Sequence, residues 1–192
     1  MLTEKKVIDI LQETGVLLQG HFLLTSGRHS EHYLQCARVF QFPDLAAELC
    51  RALAEKFNGL KPDVCIGPAL GGIIIAYETA RELNTRGIFA ERDESGGMAL
   101  RRGFAIHPGE KVLVLEDVVT TGGSVREVMN LVRAHGGQVL GVGSIVDRSN
   151  GQVDFGVPYQ ALVRLDIVSW EPADCPLCAK GIPAVKPGSR KR

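Results

Sequence analysis

Apolar residues recur along this chain in two rhythms, one with steps of three and four, the other in short continuous runs. Val7, Ile8 and Leu11 form a helical stripe behind Thr3, a natural N-cap, and Gly15 is placed to close that helix. Leu45, Leu49, Leu53 and Phe57 mark a second helix, opened by Pro43-Asp44 and ended by Gly59. A strand over Val64 to Ile66, a helix over Gly72 to Leu83 and a strand over Gly87 to Glu91 follow. Met98 to Ile106 reads as a mobile hairpin, with Ser95-Gly96-Gly97 as its turn residues. A strand starting at Val112, a helix after Ser124 and a strand over Val139 to Val146 complete the core, and Tyr159 to Trp170 alternates as an edge strand would. Helix and strand in alternation predict an α/β fold with a central, mostly parallel sheet flanked by helices. Neither an internal repeat nor a second domain is visible.

Composition narrows the class. At 192 residues the chain is long enough for one α/β domain with a proper core, and 45% hydrophobic with 23% charged residues is ordinary for a globular protein. Twenty-two basic side chains balance twenty-two acidic ones, which argues against general attraction to nucleic acid or to a membrane surface. No apolar stretch has transmembrane length and no signal peptide is recognisable, so a cytoplasmic protein is expected. The five cysteines make no disulfide framework, and Cys50 and Cys65 fall in core patterns. Cys175-Pro176-Leu177-Cys178 is the CxxC of the chain. A structural zinc site wants four ligands, and with no second CxxC or paired histidines beside it an unmetallated loop is expected, ahead of zinc or redox chemistry. His29 and His32, with Cys36 beyond them, are read as surface or hood histidines without metal chemistry, and the basic stretch Lys186 to Arg192 as a solvated tail.

The richest segment is Val112 to Ser124. An apolar run ends in Glu116-Asp117, then Val118-Val119-Thr120-Thr121-Gly122-Gly123-Ser124 leads into the helix with Val125, Val128, Met129 and Val132 on one stripe. Such a run reads as a strand buried on both faces, and ligands of parallel sheets bind beyond the carboxyl ends of the strands. Three hydroxyls and a helix N-terminus suit an anion, and the glycines permit close backbone approach. The loop lacks both the Gly-Lys-Ser/Thr of a triphosphate loop and the G-x-G-x-x-G of a dinucleotide turn, so a monophosphate fits it better. Carboxylates beside that pocket would repel a phosphate set on them, yet they suit a sugar diol. A ribose 5-phosphate satisfies both demands. A plain strand-to-helix turn explains one Asp and one Gly, not the whole run.

This block resembles the signature of the type I phosphoribosyltransferases, which use phosphoribosyl diphosphate (PRPP). Ser26-Gly27-Arg28-His29-Ser30-Glu31-His32-Tyr33 is similar to the Ser-Gly-x-x-Ser-x-x-Tyr segment of the orotate phosphoribosyltransferases, and Gly67-Pro68-Ala69-Leu70-Gly71-Gly72 to the family's diphosphate-binding turn. Arg148, after Asp147, stands where the family has an Arg that contacts orotate, a role suited to a planar fork facing a carboxylate. Taken alone, Arg148 would read as a surface residue paired with Asp147. The resemblance runs from about Gly15 to about Trp170. Thr25 stands where many members have lysine, as does Leu70-Gly71 in the glycine-rich turn. Arg92 to Phe104 contains no lysine or histidine and offers Arg92, Arg101 and Arg102 instead, which do not titrate in proteins.

The resemblance implies one type I phosphoribosyltransferase domain over 1–192, with a small hood from about 1–40 plus the C-terminal segment. It implies transfer of the phosphoribosyl group from PRPP to orotate, giving orotidine 5′-monophosphate and diphosphate in pyrimidine biosynthesis. Glu116, Asp117 and Arg101 are the implied catalytic residues. PRPP would be held by Glu116 to Ser124 and Arg92, orotate by Thr120 and Arg148, with Mg²⁺ bound mainly through PRPP and no dedicated protein metal site. A homodimer is implied, because the family's mobile loop reaches the partner's site. A purine-type enzyme, for xanthine for example, and a PRPP-binding RNA-dependent regulator of pyrimidine genes are the alternatives.

Overall fold

The structure, a computed structural model, describes residues 2–24 and 26–187. Thr25 and the tail residues Gly188 to Arg192 lie outside the described residues. In chain order the elements are α1 (Glu4–Glu13), β1 (Leu17–Leu23), β2 (His29–Leu34), α2 (Pro43–Glu55), β3 (Val64–Pro68), α3 (Gly71–Leu83), β4 (Arg86–Arg92) and β5 (Met98–Ala99). There follow β6 (Lys111–Val119), α4 (Gly123–Ala134), β7 (Gln138–Asp147), β8 (Tyr159–Arg164), β9 (Ser169–Trp170) and α5 (Pro176–Ala179). The main sheet has the order β5-β4-β3-β6-β7-β8, parallel except for the β4–β5 hairpin. A second sheet, β1-β2-β9, is antiparallel and forms the hood.

The two faces of the main sheet explain why its strands read as continuous apolar runs. Leu113 and Leu115 of β6 point into a cluster with α1, α2 and α3, which contribute Leu11, Leu49, Leu53 and Ile75. Val112 and Val114 point the other way, against Val125, Val128, Met129 and Val132 of α4. Period-two alternation thus sends successive residues into two separate cores. Thr3 caps α1 by accepting from the Lys6 N–H at 3.3 Å, and Gly15, at φ +65°, turns the chain away after the helix.

Chain order makes β3 and β6 special. From β3 the chain crosses to β4 on one side, and from β6 it crosses to β7 on the other. Their carboxyl ends therefore border the crevice where the winding reverses, the place where open α/β sheets bind ligands.

Three sequence expectations need correction. Tyr159 to Trp170 is not one edge strand: β8 lies parallel to β7, and the chain then leaves the main sheet so that Ser169–Trp170 pairs with β2. The hood captures it through polar side chains, Arg28 Nε and Nη2 donating to Ser169 Oγ (2.9 Å) and O (2.6 Å), and Ser30 Oγ to Val168 O (2.8 Å). The hairpin over Met98 to Ile106 keeps its ladder only at Met98–Ala99, because the backbone turns at Arg102 (φ +58°) and Gly103 (φ +76°). Cys175 is 2% exposed at the start of α5 rather than in a loop, whereas His29, expected at the surface or in the hood, lies in the hood strand β2 at 9% exposure.

Phe57 closes the bottom of the first core by lying on β7 where side chains are missing. A Cβ on Gly143 would stand 2.8 Å from Leu115 Cδ2 and 2.9 Å from Phe57 Cε2. Gly143→Ala is expected to overpack this contact at a cost of about 1–3 kcal/mol, lowering the melting temperature by roughly 2–12 °C. Calorimetry would check it, and an unchanged midpoint would mean that Phe57 moves aside freely.

Candidate active site

β6 carries its two acids past the edge of the core. Glu116, paired in register with Ser144 of β7, is 9% exposed, and Asp117 is half-buried beside it. Asp117 N–H donates to Glu116 Oε1 at 3.2 Å, and Val118 N–H to Asp117 Oδ1 at 2.8 Å. Burial, and for Glu116 the neighbouring Asp117 charge, favours the neutral acid: Glu116 is pushed up to about 9, and Asp117 is raised as well, mainly by burial. Two carboxyls so placed hold a proton more readily than free acids do. They give up that preference only for a ligand that supplies donors or positive charge.

Asp117 is brought to this position by what its neighbour lacks. A Cβ on Gly71 would sit 2.8 Å from Asp117 Oδ1, so the turn after β3 approaches the carboxylate only as glycine. Pro68 to Gly71, Glu116, Asp117, Val118 and Ser124 line one cavity together with Gln35 and Ala37, which follow the hood. Leu70 stands in it 85% exposed.

A second, smaller cleft adjoins the first. Glu116 and the run Val118-Val119-Thr120-Thr121-Gly122-Gly123-Ser124 line it down to Val125. Gly122, the N-cap of α4, has φ +75°, and a Cβ there would come within 2.8 Å of the Phe155 ring. Backbone freedom and close packing thus both require glycine at this point. The first N–H groups of α4 find no carbonyl within the helix, so the cleft presents backbone donors, three hydroxyls and the positive end of a helix dipole. That chemistry fits a phosphate.

Arg148 completes the site from β7's exit. The neighbouring Asp147 pairs with Arg164 at 3.4 Å and accepts from Ser149 N–H at 2.8 Å, so the Asp147–Arg148 pair conceivable from sequence alone does not form. Arg148 N–H donates to Val119 O at 2.8 Å, fixing its backbone to the end of β6. Burial lowers the pKa of its guanidinium, partly offset by the negative ends of Cys36 and Tyr33. The Cys36 thiol, raised chiefly by burial, senses Asp117, Arg148 and Glu116, so one residue just after the hood strand β2 has all three groups around it. Arg148 Nε is buried with no hydrogen-bond partner, and no carboxylate pairs with the side chain among the described residues. A half-buried cation with its Nε left in this condition is suited to an anionic ligand.

The arginines of the β4–β5 arm stand apart. Arg92 pairs with Glu127 at 2.9 Å and Arg102 with Glu91 at 2.6 Å, while Arg101 sits exposed at the turn. None of the three lines either cavity. Sequence reasoning missed Gln35 and Ala37 as cavity walls, since neither carries a chemical signal. It did read the Gly67–Gly72 turn, without foreseeing its contact with Asp117.

The phosphoribosyl transferase domain family matches residues 37–158, close to two thirds of the chain. An orotate phosphoribosyltransferase of Caldanaerobacter subterraneus subsp. tengcongensis is 58% identical over 190 residues, covering 99% of this chain and 100% of the relative. Another from Pelotomaculum thermopropionicum is 61% identical with the same coverage. Among solved structures, the Mycobacterium tuberculosis orotate phosphoribosyltransferase in complex with inorganic phosphate superposes with a TM-score of 0.71 at 23% identity, covering 84% of this chain and 95% of that one. The fold, the two clefts at the β3–β6 crevice and the full-length relatives agree: the chain belongs to the orotate phosphoribosyltransferase family.

Proposed function

We propose that this chain transfers the phosphoribosyl group of PRPP to orotate, releasing diphosphate and forming orotidine 5′-monophosphate, as one step of pyrimidine biosynthesis in the cytoplasm. The observation that carries the reading is the half-buried Arg148, its Nε without a partner and its backbone bonded to Val119 at the phosphate cleft. A purine offers no carboxylate to that guanidinium. This favours orotate over xanthine, and the balanced charge of the chain gives no support to an RNA-binding regulator. No described helix is long and apolar enough to cross a membrane.

In this reading the 5-phosphate sits on Thr120, Thr121, Gly122, Gly123 and Ser124 at the start of α4, which fixes the ribose and turns an encounter into a positioned reaction. Glu116 and Asp117 accept from the ribose diol, and their charge opposes the positive charge that builds on the ring as the anomeric bond breaks. The diphosphate lies toward Pro68 to Gly71. Thr120 and Arg148 hold orotate, with Arg148 gripping its carboxylate as a planar fork. Asp117 and Glu116 are also the oxygen donors suited to Mg²⁺, which keeps most of its waters and phosphate ligands. Bound there, Mg²⁺ would neutralise charge on the leaving diphosphate.

The whole described chain serves as a single phosphoribosyltransferase domain, and it works as a homodimer. Leu70, Ile74 and Tyr77, spaced along one side of α3, are 85%, 41% and 63% exposed, an apolar stripe beginning at the cavity wall. Arg92, Arg101 and Arg102 line neither of the two clefts, which suits an arm acting on the diphosphate of a partner's site.

Three variants test the assignment. Glu116→Gln should lower kcat by at least ~10²-fold, the scale of losing one preorganised catalytic group. It should also stabilise the free protein. The native pKa of about 9 lies above the ordinary carboxylate value, so wild-type stability falls as pH rises from about 4.5 to about 9, and the variant lacks that loss. Its melting temperature should exceed wild type by a margin that widens across this range; a margin constant with pH would refute the raised acid. Arg148→Ala should raise the KM for orotate by about 10²-fold or more, as expected for losing a buried charge-assisted contact, while the KM for PRPP changes little. A purine base consumed in place of orotate by the wild type would transfer the assignment to the rival enzyme. Arg101→Ala should lower kcat more than it raises the KM for orotate, and an unchanged kcat would remove Arg101 from the reaction.

A further inference from the structure

In the hood, among residues that line neither cleft, four metal-ligating groups converge. His21 of β1, His29 of β2, Cys175 at the N-cap of α5 and Cys178 within it each point one ligand atom into a common space, and these atoms all lie within 4.8 Å of one another. His21 Nε2 and His29 Nδ1 are 2.8 Å apart, Cys175 Sγ is 3.4 Å from His21 Nε2, and Cys178 Sγ is 3.9 Å from His21 Nε2 and 3.2 Å from His29 Nδ1. Zinc held tetrahedrally at about 2.3 Å from sulfur and about 2.0–2.1 Å from nitrogen separates its ligand atoms by about 3.3–3.8 Å. The recorded nitrogen–sulfur separations straddle that range, and the nitrogen–nitrogen one would open by about half an ångström.

The fold brings these residues together deliberately far from their sequence neighbours. Leu23 faces His29 across the β1–β2 ladder, so His21, two residues back, lies diagonally on the same face, within reach of long side chains. The C-terminal segment arrives over that face: Val185 N–H donates to His21 O at 2.8 Å, and Leu23 N–H to Val185 O at 2.9 Å. His21 Nδ1 lies 2.7 Å from Ile182 O, which holds its proton on Nδ1 and leaves the Nε2 lone pair aimed into the cluster. Three of the four groups are buried: His21 is 4% exposed, His29 9% and Cys175 2%. A hydrogen bond between the two imidazoles would satisfy the histidines alone. It would not account for two thiols meeting the same nitrogens.

We propose that His21, His29, Cys175 and Cys178 form a Cys2His2 structural zinc site that fastens the C-terminal segment to the hood. The segment needs a fastening. Apart from Cys175, residues 171–187 bury no side chain, so their attachment by packing alone is thin. A closed four-ligand site supplies folding energy outright, where a small region lacks a core of its own. The sequence reading set the CxxC aside because it sought histidines nearby along the chain; the ligands are some 150 residues away, separated by 154 positions for His21 and Cys175. His32, which that reading grouped with His29, takes no part.

The test uses the full chain, produced with zinc available and then dialysed against a weak chelator. One zinc per chain by elemental analysis is expected, lost in the Cys175→Ser/Cys178→Ser double variant and kept in His32→Ala. The double variant should melt about 5 °C or more below wild type, a shift readable for a chain of this length. Co²⁺ placed in metal-stripped wild type should give thiolate-to-metal charge-transfer absorption and the d–d bands of a tetrahedral site, a readout that stands even if the double variant does not fold. Sub-stoichiometric zinc in the wild type, zinc retained by the double variant, a Cys175–Cys178 disulfide in the protein as isolated, or a Co²⁺ spectrum without thiolate bands would each overturn the proposal. None of these outcomes bears on the reading of the PRPP and orotate clefts.

Discussion

Everything at the mouth of this molecule is arranged around two adjacent carboxyls that the fold will not let ionise freely. A strand buried on both faces by Leu113, Leu115, Val112 and Val114 ends in Glu116 and Asp117, so the acids emerge where water is already scarce. Burial raises both pKa values, the Asp117 charge raises that of Glu116 further, and the empty site is electrostatically frustrated. Local structure tolerates this because backbone N–H groups of Asp117 and Val118 supply partial compensation. The remainder must come from a ligand. Stability is thereby surrendered where binding can restore it, the usual relation between a functional site and the scaffold that holds it.

Three glycines convert that strand tip into a site. Gly71 lets the turn after β3 come against Asp117, and Gly122 lets the chain after β6 double back under Phe155 into α4. Gly143, lower on β7, admits Phe57 and keeps the sheet close to α2. The first two position chemistry and the third positions the scaffold, yet all three work by the same means. Each removes a Cβ at a point where two elements approach more closely than any side chain permits.

Much of this was legible in the sequence because it is local. The continuous apolar run before Glu116, the hydroxyl and glycine loop and the helical stripe after Ser124 each reflect a period or a turn requirement set by neighbouring residues. What escaped reading depended on distant partners. Tyr159 to Trp170 alternates throughout, and only Arg28 and Ser30 decide that its last residues leave for the hood. Asp147 and Arg148 look like a pair when written side by side. On a strand end they project to opposite sides, so Asp147 finds Arg164 of β8 and Arg148 faces Tyr33 of β2 and Cys36 just after it. The convergence of His21 and His29 on the CxxC is invisible to any window shorter than most of the chain.

The arginine arm follows the opposite energetic logic from Arg148. Arg148 is half-buried with its Nε left unpartnered, which costs stability whenever the site is empty. Arg92 and Arg102 instead rest on Glu127 and Glu91 at the surface, with the side chains half or more exposed. Exposed ion pairs contribute only about 0–1 kcal/mol each, so exchanging these carboxylates for a diphosphate demands little. A cation that must wait in place is best buried, and a cation that must travel is best kept in a weak surface pair. The two kinds of arginine in this chain are divided along that line, which fits the proposed roles of Arg148, just after β7, on the orotate carboxylate and of the arm on the leaving group.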